Sequence, residues 1–392
     1  MTTLRNIGRL WSPGESVRTQ VEVVIEDGRI AAVQPTGTAA PGRDDFDCRG
    51  LLLTPGLIDA HTHPLYLRAR LEEVQLRSEG VAYSEIASRG GGILQTVRET
   101  RAAGWEELAE ATLTRLQGWR LSGTTTAEVK TGYHLKVEDE LRAVSLLAGL
   151  RSEEGIPDLS VTYLAAHELP PERGSNRAGY VQEVADSCPR ALALGARSCD
   201  VFCDRGAFTV AETRLILEAA GRAGLRIRIH ADELALTGGS QLAARLGADS
   251  ADHLLRIGKQ EAELLSQAGV AATLCPMTAL SMRALPPARE LLRAGATLAL
   301  GSDHNPGTSG ADSMTPVVYL AVSQLGLSVD EALTAATAGG ARSLHLGDRG
   351  AIRVGMRADL SLWAADHEGA FAWAPQLGCL ASWREGGRLS QA

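Results

Sequence analysis

Aromatic residues and long apolar runs are both scarce in this sequence. Phe, Trp and Tyr make up only 4% of the 392 residues. No apolar run reaches the length of about 18 residues that a membrane-spanning helix needs. The N-terminus also has no charged segment followed by an apolar one, the pattern that directs secretion. We therefore expect a cytoplasmic protein that binds no membrane.

The chain also lacks a net positive charge and Cys-x-x-Cys pairs of cysteines. The formal net charge is −8, which argues against a nucleic-acid partner, because phosphate-binding faces need clustered Lys and Arg. The six Cys residues include no Cys-x-x-Cys pair, which argues against a disulfide framework or a zinc knuckle. The partner that these absences leave is a small-molecule substrate, while a homodimer stays open.

What the sequence does contain is a change in its pattern of predicted secondary structure along the chain. Residues 1–56 include alternating runs joined by Asp27-Gly28, a strong hairpin signal, and residues 347–392 again resemble short strands. Between them, in residues 57–346, short apolar strands alternate with amphipathic segments of helical length. We expect the two ends to pair as one small composite β domain, a β-sandwich, beside a catalytic α/β domain.

Eight short apolar strands can be counted in the central part of the chain. They are LLTPGLIDAHTH, GTTTAEVK, LSVTYLAAH, SCDVFCD, LRIRIHAD, DSADHL, VAATLC and ATLALGSD. Eight parallel strands close into a (β/α)8 TIM-like barrel, whose active sites lie at the carboxyl ends of the strands. Nearly every run ends in a polar residue, and these are His61, His63, Lys130, His167, Asp204, His230, His253 and Asp303. Packing alone does not explain such a pattern, which predicts an active site at this end of the barrel.

The spacing of His61 and His63 favours a metal site. Residues two apart on a strand point to the same face, so both imidazoles can reach one ion. His230 ends the fifth strand and Asp303 the eighth, which adds a third nitrogen and an oxygen. Three nitrogen ligands and one oxygen ligand, with room for water, describe a catalytic zinc site. Surface histidines and a helix-capping Asp303 are the alternatives that these residues also fit.

The segments TPGLIDAHTH, HADE, SADH and LGSDHNPG resemble the amidohydrolase superfamily. That resemblance implies metal binding by His61, His63, His230 and Asp303. Many members hold two metals bridged by a carboxylated Lys on the fourth strand, but here that strand ends in Cys203-Asp204. Lys130 lies on the second strand and is interpreted as a paired cation at the barrel mouth. One zinc ion per chain is therefore expected, with iron as an alternative that the same ligands suit.

HADE places Glu233 three residues after His230. One-metal members of the superfamily use such a Glu to carry protons, so the resemblance implies this role here. The chemistry needs it, because a base must take the proton of the attacking water and later protonate a nitrogen leaving group. His253 of SADH would lie beside the nucleophile and stabilise the oxyanion. The alternative for Glu233 is a cap on the following helix.

Other segments closely resemble the imidazolonepropionases within that superfamily. They are GGGILQTVRETRAA, GTTTAEVKTGYHL, AAHELPPE, IHADELALTGGSQLAARLGADSADHL and DHNPGTS. The resemblance implies hydrolysis of the cyclic amide of 4-imidazolone-5-propanoate to N-formimino-L-glutamate, the third step of histidine degradation. It places substrate-binding groups on Arg70, Tyr133, His167, Glu233, Asn305, Gly307 and Thr308.

Six of those assignments have a physical reason of their own. Arg70 can bind a propionate bidentately, although a surface Arg is its alternative. In the turn of residues 305–308, exposed backbone N–H groups can face a ligand. Tyr133 and His167 can hydrogen-bond a ring or a carboxylate, and each also fits a buried, paired polar group. The chain departs from the family's pattern at Glu168 and Asp204, which puts substrate affinity in doubt more than the reaction.

Two other functions fit part of the pattern. A mononuclear zinc aminohydrolase, that is, a deaminase acting on a cytosine-like or guanine-like base, would use the same ligands and release ammonia. A barrel that has lost catalysis and serves as a scaffold would lack one of the metal ligands or Glu233, and all of these are present.

Overall fold

Sixteen strands, divided between two sheets of eight, make up the β structure of the part of the chain that the structure describes. The computed structural model describes residues 1–81, 85–86 and 89–391. The strands are β1 (Thr2–Leu10), β2 (Arg18–Glu26), β3 (Arg29–Pro35), β4 (Phe46–Asp47), β5 (Leu52–Pro55), β6 (Leu57–Asp59), β7 (Thr124–Lys130), β8 (Asp158–Ala166), β9 (Ser198–Cys203), β10 (Arg226–Ala231), β11 (Ser250–His253), β12 (Ala271–Leu274), β13 (Leu298–Leu300), β14 (Leu360–Trp363), β15 (Cys379–Arg384) and β16 (Gly387–Gln391).

Helices follow most of the central strands, as the alternating pattern predicts. They are α1 (Leu71–Ser78), α2 (Ile93–Ala102), α3 (Trp105–Leu121), α4 (Val137–Gly149), α5 (Arg177–Ala193), α6 (Val210–Ala223), α7 (Gly239–Leu246), α8 (Lys259–Gln267), α9 (Pro276–Ser281), α10 (Ala288–Arg293), α11 (Thr315–Ser323), α12 (Val329–Thr334), α13 (Gly340–Ser343) and α14 (Ala370–Trp373). The Thr209 hydroxyl and the Glu212 carboxylate form a capping box at the start of α6, and Gly224 ends it with a left-handed φ of 95°. Among the described residues, no helix has the length and apolarity to span a bilayer.

The central strands form the predicted barrel. Strands β6 to β13 pair in chain order, and every pair is parallel. The ring closes just beyond the first and last strands, where the Ala60 N–H donates to the Leu300 carbonyl at 3.1 Å. Three residues after Leu300, the Asp303 N–H donates to the His61 carbonyl at 2.9 Å. The (β/α)8 architecture is confirmed, and closure brings the ends of the first and eighth strands together.

The two ends of the chain pair with each other, as the sequence predicts, and form one mixed sheet. Its strand order is β16-β15-β14-β5-β1-β2-β3, with β4 beside β1. The C-terminal segment joins through the antiparallel pair of β14 and β5, while β1 and β5 are parallel. Leu4, Leu53, Leu360 and Trp383 belong to a separate apolar core on this sheet.

The chain passes from the terminal sheet into the barrel at Gly56. The sequence predicts LLTPGLIDAHTH as a single strand, but the structure divides it into β5 and β6 at this glycine. The Gly56 N–H donates to the Asp359 carbonyl at 2.9 Å. A side chain at position 56 would overlap the side chain of Thr125 on β7. Close packing of the two sheets therefore requires glycine here.

Gly56→Ala should lower the melting temperature, because the added methyl group overlaps Thr125 and overpacking of this kind costs about 1–3 kcal/mol. Gly118→Ala is the matched control. Gly118 lies in α3 with open space around it, and alanine is the better helix former by about 1 kcal/mol. Thermal unfolding of the three proteins measures the effect, and a Gly56→Ala protein as stable as the parent would contradict the steric argument.

Candidate active site

Three imidazoles and one carboxylate meet at the carboxyl end of the barrel strands. The Nε2 atom of His63 lies 3.1 Å from Nε2 of His61 and 3.4 Å from Nε2 of His230. The Asp303 Oδ1 atom lies 3.4 Å from His63 Nε2 and 3.6 Å from His61 Nε2. The four predicted metal ligands, supplied by the first, fifth and eighth strands, therefore turn one donor atom each toward a common point.

The donor set fits a divalent cation. Burial lowers the pKa of His61 and His63 well below the ordinary value, so both rings are neutral and can offer a lone pair. Burial also raises the pKa of Asp303 to about 7, a cost that a bound cation would offset by favouring the carboxylate. Three nitrogens and one oxygen match the ligands of a catalytic zinc site, and imidazole and carboxylate also suit iron.

Two buried carboxylates determine which ring nitrogen faces that point. The Asp252 Oδ2 atom lies 2.7 Å from His61 Nδ1. In the same way, Asp200 Oδ2 lies 2.9 Å from His230 Nδ1. The Nδ1–H that His61 donates to Asp252 leaves the lone pair on Nε2, and both contacts hold their rings in position. Neither Asp200 nor Asp252 was predicted from the sequence.

Asp200 and Asp252 belong to a barrel-ion cluster, which we define as Glu128, Lys130, Asp200, Arg228 and Asp252. The Lys130 Nζ atom lies 2.7 Å from Asp200 Oδ2, 2.8 Å from Glu128 Oε2 and 3.5 Å from Asp252 Oδ2. Arg228 lies 2.8 Å from Glu128 and 3.2 Å from Asp252. Burial alone would lower the pKa of Lys130, but Asp200 and Glu128 raise it above its ordinary value. Lys130 is therefore a paired cation, but it lies in the barrel interior and not at the mouth.

Glu233 and His253 lie next to each other beside the metal ligands. The Glu233 Oε1 atom is 3.8 Å from His253 Nδ1. Burial raises the pKa of Glu233 and lowers the pKa of His253. Within the described part of the chain, neither ring nitrogen of His253 has a hydrogen-bond partner. The φ of 73° at His253 is strained for a residue with a side chain, as is common at functional sites.

Asp204 holds the turn that carries Glu233. Its Oδ2 atom accepts the N–H of Glu233 at 2.7 Å and that of Leu234 at 2.8 Å, and Oδ1 accepts the Ala235 N–H at 3.1 Å. The sequence shows Asp204 only as a departure from the family's pattern. An acidic residue at the end of β9, beside the end of β10, was the signal that could have identified this role.

The ligands open into a cavity, and the empty space of about 520 Å³ around it includes the part that is open to solvent. Its lining consists of His63, Arg70, Ile93, Tyr133, His167, Phe202, His230, Glu233, Leu234, His253, Met282, Asp303, Asn305 and Thr308. The structure thus brings together all the predicted site residues, except that His61 and Gly307 do not line the cavity itself. The apolar lining residues were not predicted, because an apolar side chain at a strand end is indistinguishable from core in the sequence.

Arg70 is buried, which excludes the alternative that it is a surface Arg. Its side chain is only 3% exposed, and Nε lies 3.0 Å from Glu73 Oε2. One terminal nitrogen also donates to the Thr96 hydroxyl. Any side chain at Gly307 would overlap the Arg70 guanidinium. Gly307 therefore leaves room for the guanidinium, which a side chain here would force to move.

In the turn after Asp303, two backbone N–H groups form hydrogen bonds within the turn itself. The Asn305 Oδ1 atom accepts the N–H of Gly307 and that of Thr308, each at 2.8 Å. Asn305 Nδ2 donates to the Asp303 carbonyl at 2.6 Å. The expectation that these N–H groups face a ligand is corrected, because Asn305 already accepts them. Asn305 shapes the turn, and Thr308 still lines the cavity.

His167 and Tyr133 form one wall of the cavity. The Nδ1–H of His167 donates to the Gly132 carbonyl at 3.0 Å, which leaves Nε2 as an acceptor. The ring stacks on His63 with centroids 5.0 Å apart, and the Tyr133 ring centroid lies 5.3 Å away. Burial lowers the pKa of His167 to about 3, so the ring is neutral.

Comparison with known sequences gives concordant results. A family model described as the amidohydrolase family matches residues 52–377. The imidazolonepropionase of Symbiobacterium thermophilum is 40% identical over 375 residues, which cover 93% of this chain and 88% of that protein. The imidazolonepropionase of Rubrobacter xylanophilus is 44% identical over 367 residues, which cover 91% of this chain and 86% of that protein.

Solved structures resemble the whole chain. An adenosine deaminase from Xanthomonas campestris with bound zinc matches with a TM-score of 0.75 at 21% identity, covering 99% of this chain and 92% of that one. A 5-methylcytosine deaminase from Klebsiella pneumoniae liganded with 5-fluorocytosine gives 0.79 at 19% identity, with 100% and 97% covered. At such identities the likeness shows the fold alone.

The purified protein, dialysed against metal-free buffer, should retain about one tightly bound ion per chain. The donors of His61, His63, His230 and Asp303 converge on one point, and Lys130 Nζ contacts three carboxylates and cannot bridge a second ion there. Plasma mass spectrometry against protein concentration measures the ratio. Two tightly bound ions per chain, together with a carboxylated Lys130, would contradict the one-ion site.

Proposed function

The chain belongs to the amidohydrolase family and, within it, to the imidazolonepropionases, and on that basis we propose how its site works. The reaction is hydrolysis of the cyclic amide of 4-imidazolone-5-propanoate to N-formimino-L-glutamate, in histidine degradation. One observation carries the assignment to this cavity. A metal-type donor set, a buried carboxyl group of raised pKa and a buried guanidinium all line it.

We assign one divalent ion to the four converging donors, zinc by default and iron as the alternative, on His61, His63, His230 and Asp303. When bound, such an ion lowers the pKa of a water molecule and polarises a carbonyl group. Asp252 and Asp200 orient two of the ligands, because their contacts at Nδ1 hold the His61 and His230 rings with Nε2 toward the ion.

Glu233 is the proton carrier in this proposal. Water adds its oxygen to the ring carbonyl carbon while Glu233 takes one of its protons, and the carbon–nitrogen bond then breaks as Glu233 gives that proton to the departing ring nitrogen. A carboxyl group whose pKa is raised by burial is suited to both halves of this cycle, because it can hold the proton between the steps. Asp204 fixes the turn from which Glu233 projects.

His253 stabilises the negative charge that forms on the carbonyl oxygen. Its ring is neutral and buried, and no hydrogen bond among the described residues occupies either nitrogen. One N–H is therefore available to the oxyanion at no cost of breaking another bond. The 3.8 Å contact with Glu233 keeps the two groups on the same side of the cavity.

Arg70 is assigned to the propionate, and His167 and Tyr133 to the ring. A guanidinium inside a cavity of an acidic protein favours an anionic substrate over a neutral base. This charge argues against the alternative of a deaminase acting on a cytosine-like or guanine-like base. The deaminase structures resemble this chain in fold, which does not select the substrate.

A substrate panel with mass detection tests the function. Freshly prepared 4-imidazolone-5-propanoate should give a product heavier by one water, with no ammonia released, since hydrolysis opens the ring and expels nothing. Cytosine and guanine are the parallel arms. Ammonia from either base, with no conversion of the imidazolone, would overturn the assignment in favour of the deaminase.

Glu233→Gln should retain its metal but lose about 100-fold or more in turnover, the usual effect of removing a positioned proton carrier. Glutamine keeps the shape of the side chain and cannot accept the proton. Glu218→Gln, at a half-exposed position on α6, is the control and should behave like the parent. Near-normal turnover in a metal-replete Glu233→Gln protein would transfer the proton-carrying role to His253.

The assignment of Arg70 predicts energetic coupling between this side chain and the substrate carboxylate. Arg70→Met leaves Glu73 without its closest cation, so the comparison is best made in a Glu73→Gln background. With the natural substrate, the change should cost at least about 2 kcal/mol in kcat/KM, because a charge-assisted pair is lost. With an analogue that lacks the carboxylate, the same change should cost little.

A double-mutant-style cycle, in which one change is made in the protein (Arg70→Met) and the other in the substrate (loss of the carboxylate), measures this coupling directly. Coupling near zero, in variants that remain folded and metal-replete, would assign the carboxylate to Tyr133, His167 or Thr308 instead of Arg70.

A further inference from the structure

Cys275 lies beside the catalytic residues but has no part in the proposed reaction. It directly follows β12, the seventh strand of the barrel, and only 1% of its surface is exposed. Its sulfur, one ring nitrogen of His61 and one ring nitrogen of His253 all lie within 4.8 Å of one another. Three such atoms at these separations can all reach one ion, since zinc binds nitrogen at about 2.0–2.1 Å and sulfur at about 2.3 Å.

His253 provides a second and independent indication of a ligand. Its ring is 98% buried, being 2% exposed, and neither ring nitrogen has a hydrogen-bond partner among the described residues. A buried polar atom without a partner is costly and generally indicates something that binds there.

We propose that His61, His253 and Cys275 form a second metal site, which takes a thiophilic divalent ion such as zinc in excess, cadmium or cobalt, and that filling it inhibits hydrolysis. One thiolate and two imidazoles form a ligand set that selects such ions over magnesium and calcium, which prefer oxygen. When the ion binds, a metal–sulfur bond forms and the thiol proton leaves to solvent, with no change of oxidation state.

Inhibition follows from the residues that the two sites share. An ion on His253 takes the ring away from the oxyanion, a role that rests on the proposed function. His61 belongs to both donor groups, and its Nδ1 already lies 2.7 Å from Asp252 while its Nε2 faces the first site, so the second ion must compete for this ring. The second site should therefore be the weaker one, filled only after the first and emptied by dialysis.

The other cysteines provide matched controls. Cys203 is also buried and also ends a barrel strand, β9, but among the described residues it belongs to no group of three potential metal ligands. Cys203→Ser therefore removes a thiol that is equally buried and also lies at a strand end, and it leaves the proposed site unchanged. Cys275→Ala complements Cys275→Ser, because serine keeps a weak oxygen ligand and alanine keeps none.

Cobalt binding measures the proposed metal–sulfur bond without reference to activity. Cobalt added to the zinc-loaded protein should produce the near-ultraviolet charge-transfer absorption of a cobalt–thiolate bond, in the parent and in Cys203→Ser. The band should be absent from both Cys275 variants. Absence of the band in the parent, or its persistence in both Cys275 variants, would overturn the second site.

Inhibition by excess zinc then tests the functional half of the proposal. The parent and Cys203→Ser should lose activity as zinc rises, while Cys275→Ser should need at least ten-fold more zinc for the same loss. Equal inhibition of all three proteins would show that the site does not inhibit. Because the cobalt band needs no imidazolone, a failure of the second site and a failure of the proposed function are distinguishable.

Discussion

The barrel-ion cluster is the constraint on which the rest of the site depends. Its five charged side chains are at most 1% exposed, so none of them is stabilised by bulk water. Two cations face three carboxylates, which leaves one net negative charge directly beneath the metal ligands. Removing one partner of such a buried group typically destabilises a protein by about 3–5 kcal/mol, because the remaining charge is left uncompensated. The cluster therefore places fixed charges beneath the site.

Strand periodicity explains how the cluster and the ligands come to be in contact. Side chains two residues apart on a strand point to the same face, which in a closed barrel is the interior. Arg228 of the cluster and His230 of the metal site are such a pair on β10, as are Glu128 and Lys130 on β7. Strand β10 thus supplies a deeper charged residue and a shallower site residue, and the cluster controls the orientation of the predicted ligands above it.

The sequence predicts the parts of this site that follow from local rules. Alternation and turn residues indicate eight strands, and polar strand ends indicate the four predicted metal ligands together with His253. All of them lie where the barrel geometry requires. The role of Glu233 follows from the family resemblance of HADE. The division of LLTPGLIDAHTH into β5 and β6 was not predictable, because it depends on how closely Gly56 approaches Thr125 on another strand.

Contacts between distant segments explain the other differences. Asp200 and Asp252 occur within apolar runs, and their partners are known only once the register of the closed barrel is fixed. The burial of Arg70 depends on its packing over Gly307 and beside Thr96. The N–H groups of the 305–308 turn look available in the sequence, but the Asn305 side chain accepts two of them. Each of these depends on tertiary structure, which a local pattern does not contain.

The zinc affinity of Asp252→Asn tests the central claim most directly, namely that buried carboxylates orient the ligating histidines. Competition with a chromophoric chelator measures it, and Asp186→Asn, which alters an exposed pair with Gln182, is the control. The account predicts one zinc per chain in each protein, with affinity lowered about 10–100-fold only in Asp252→Asn. A folded Asp252→Asn protein that binds zinc as tightly as the parent would contradict it.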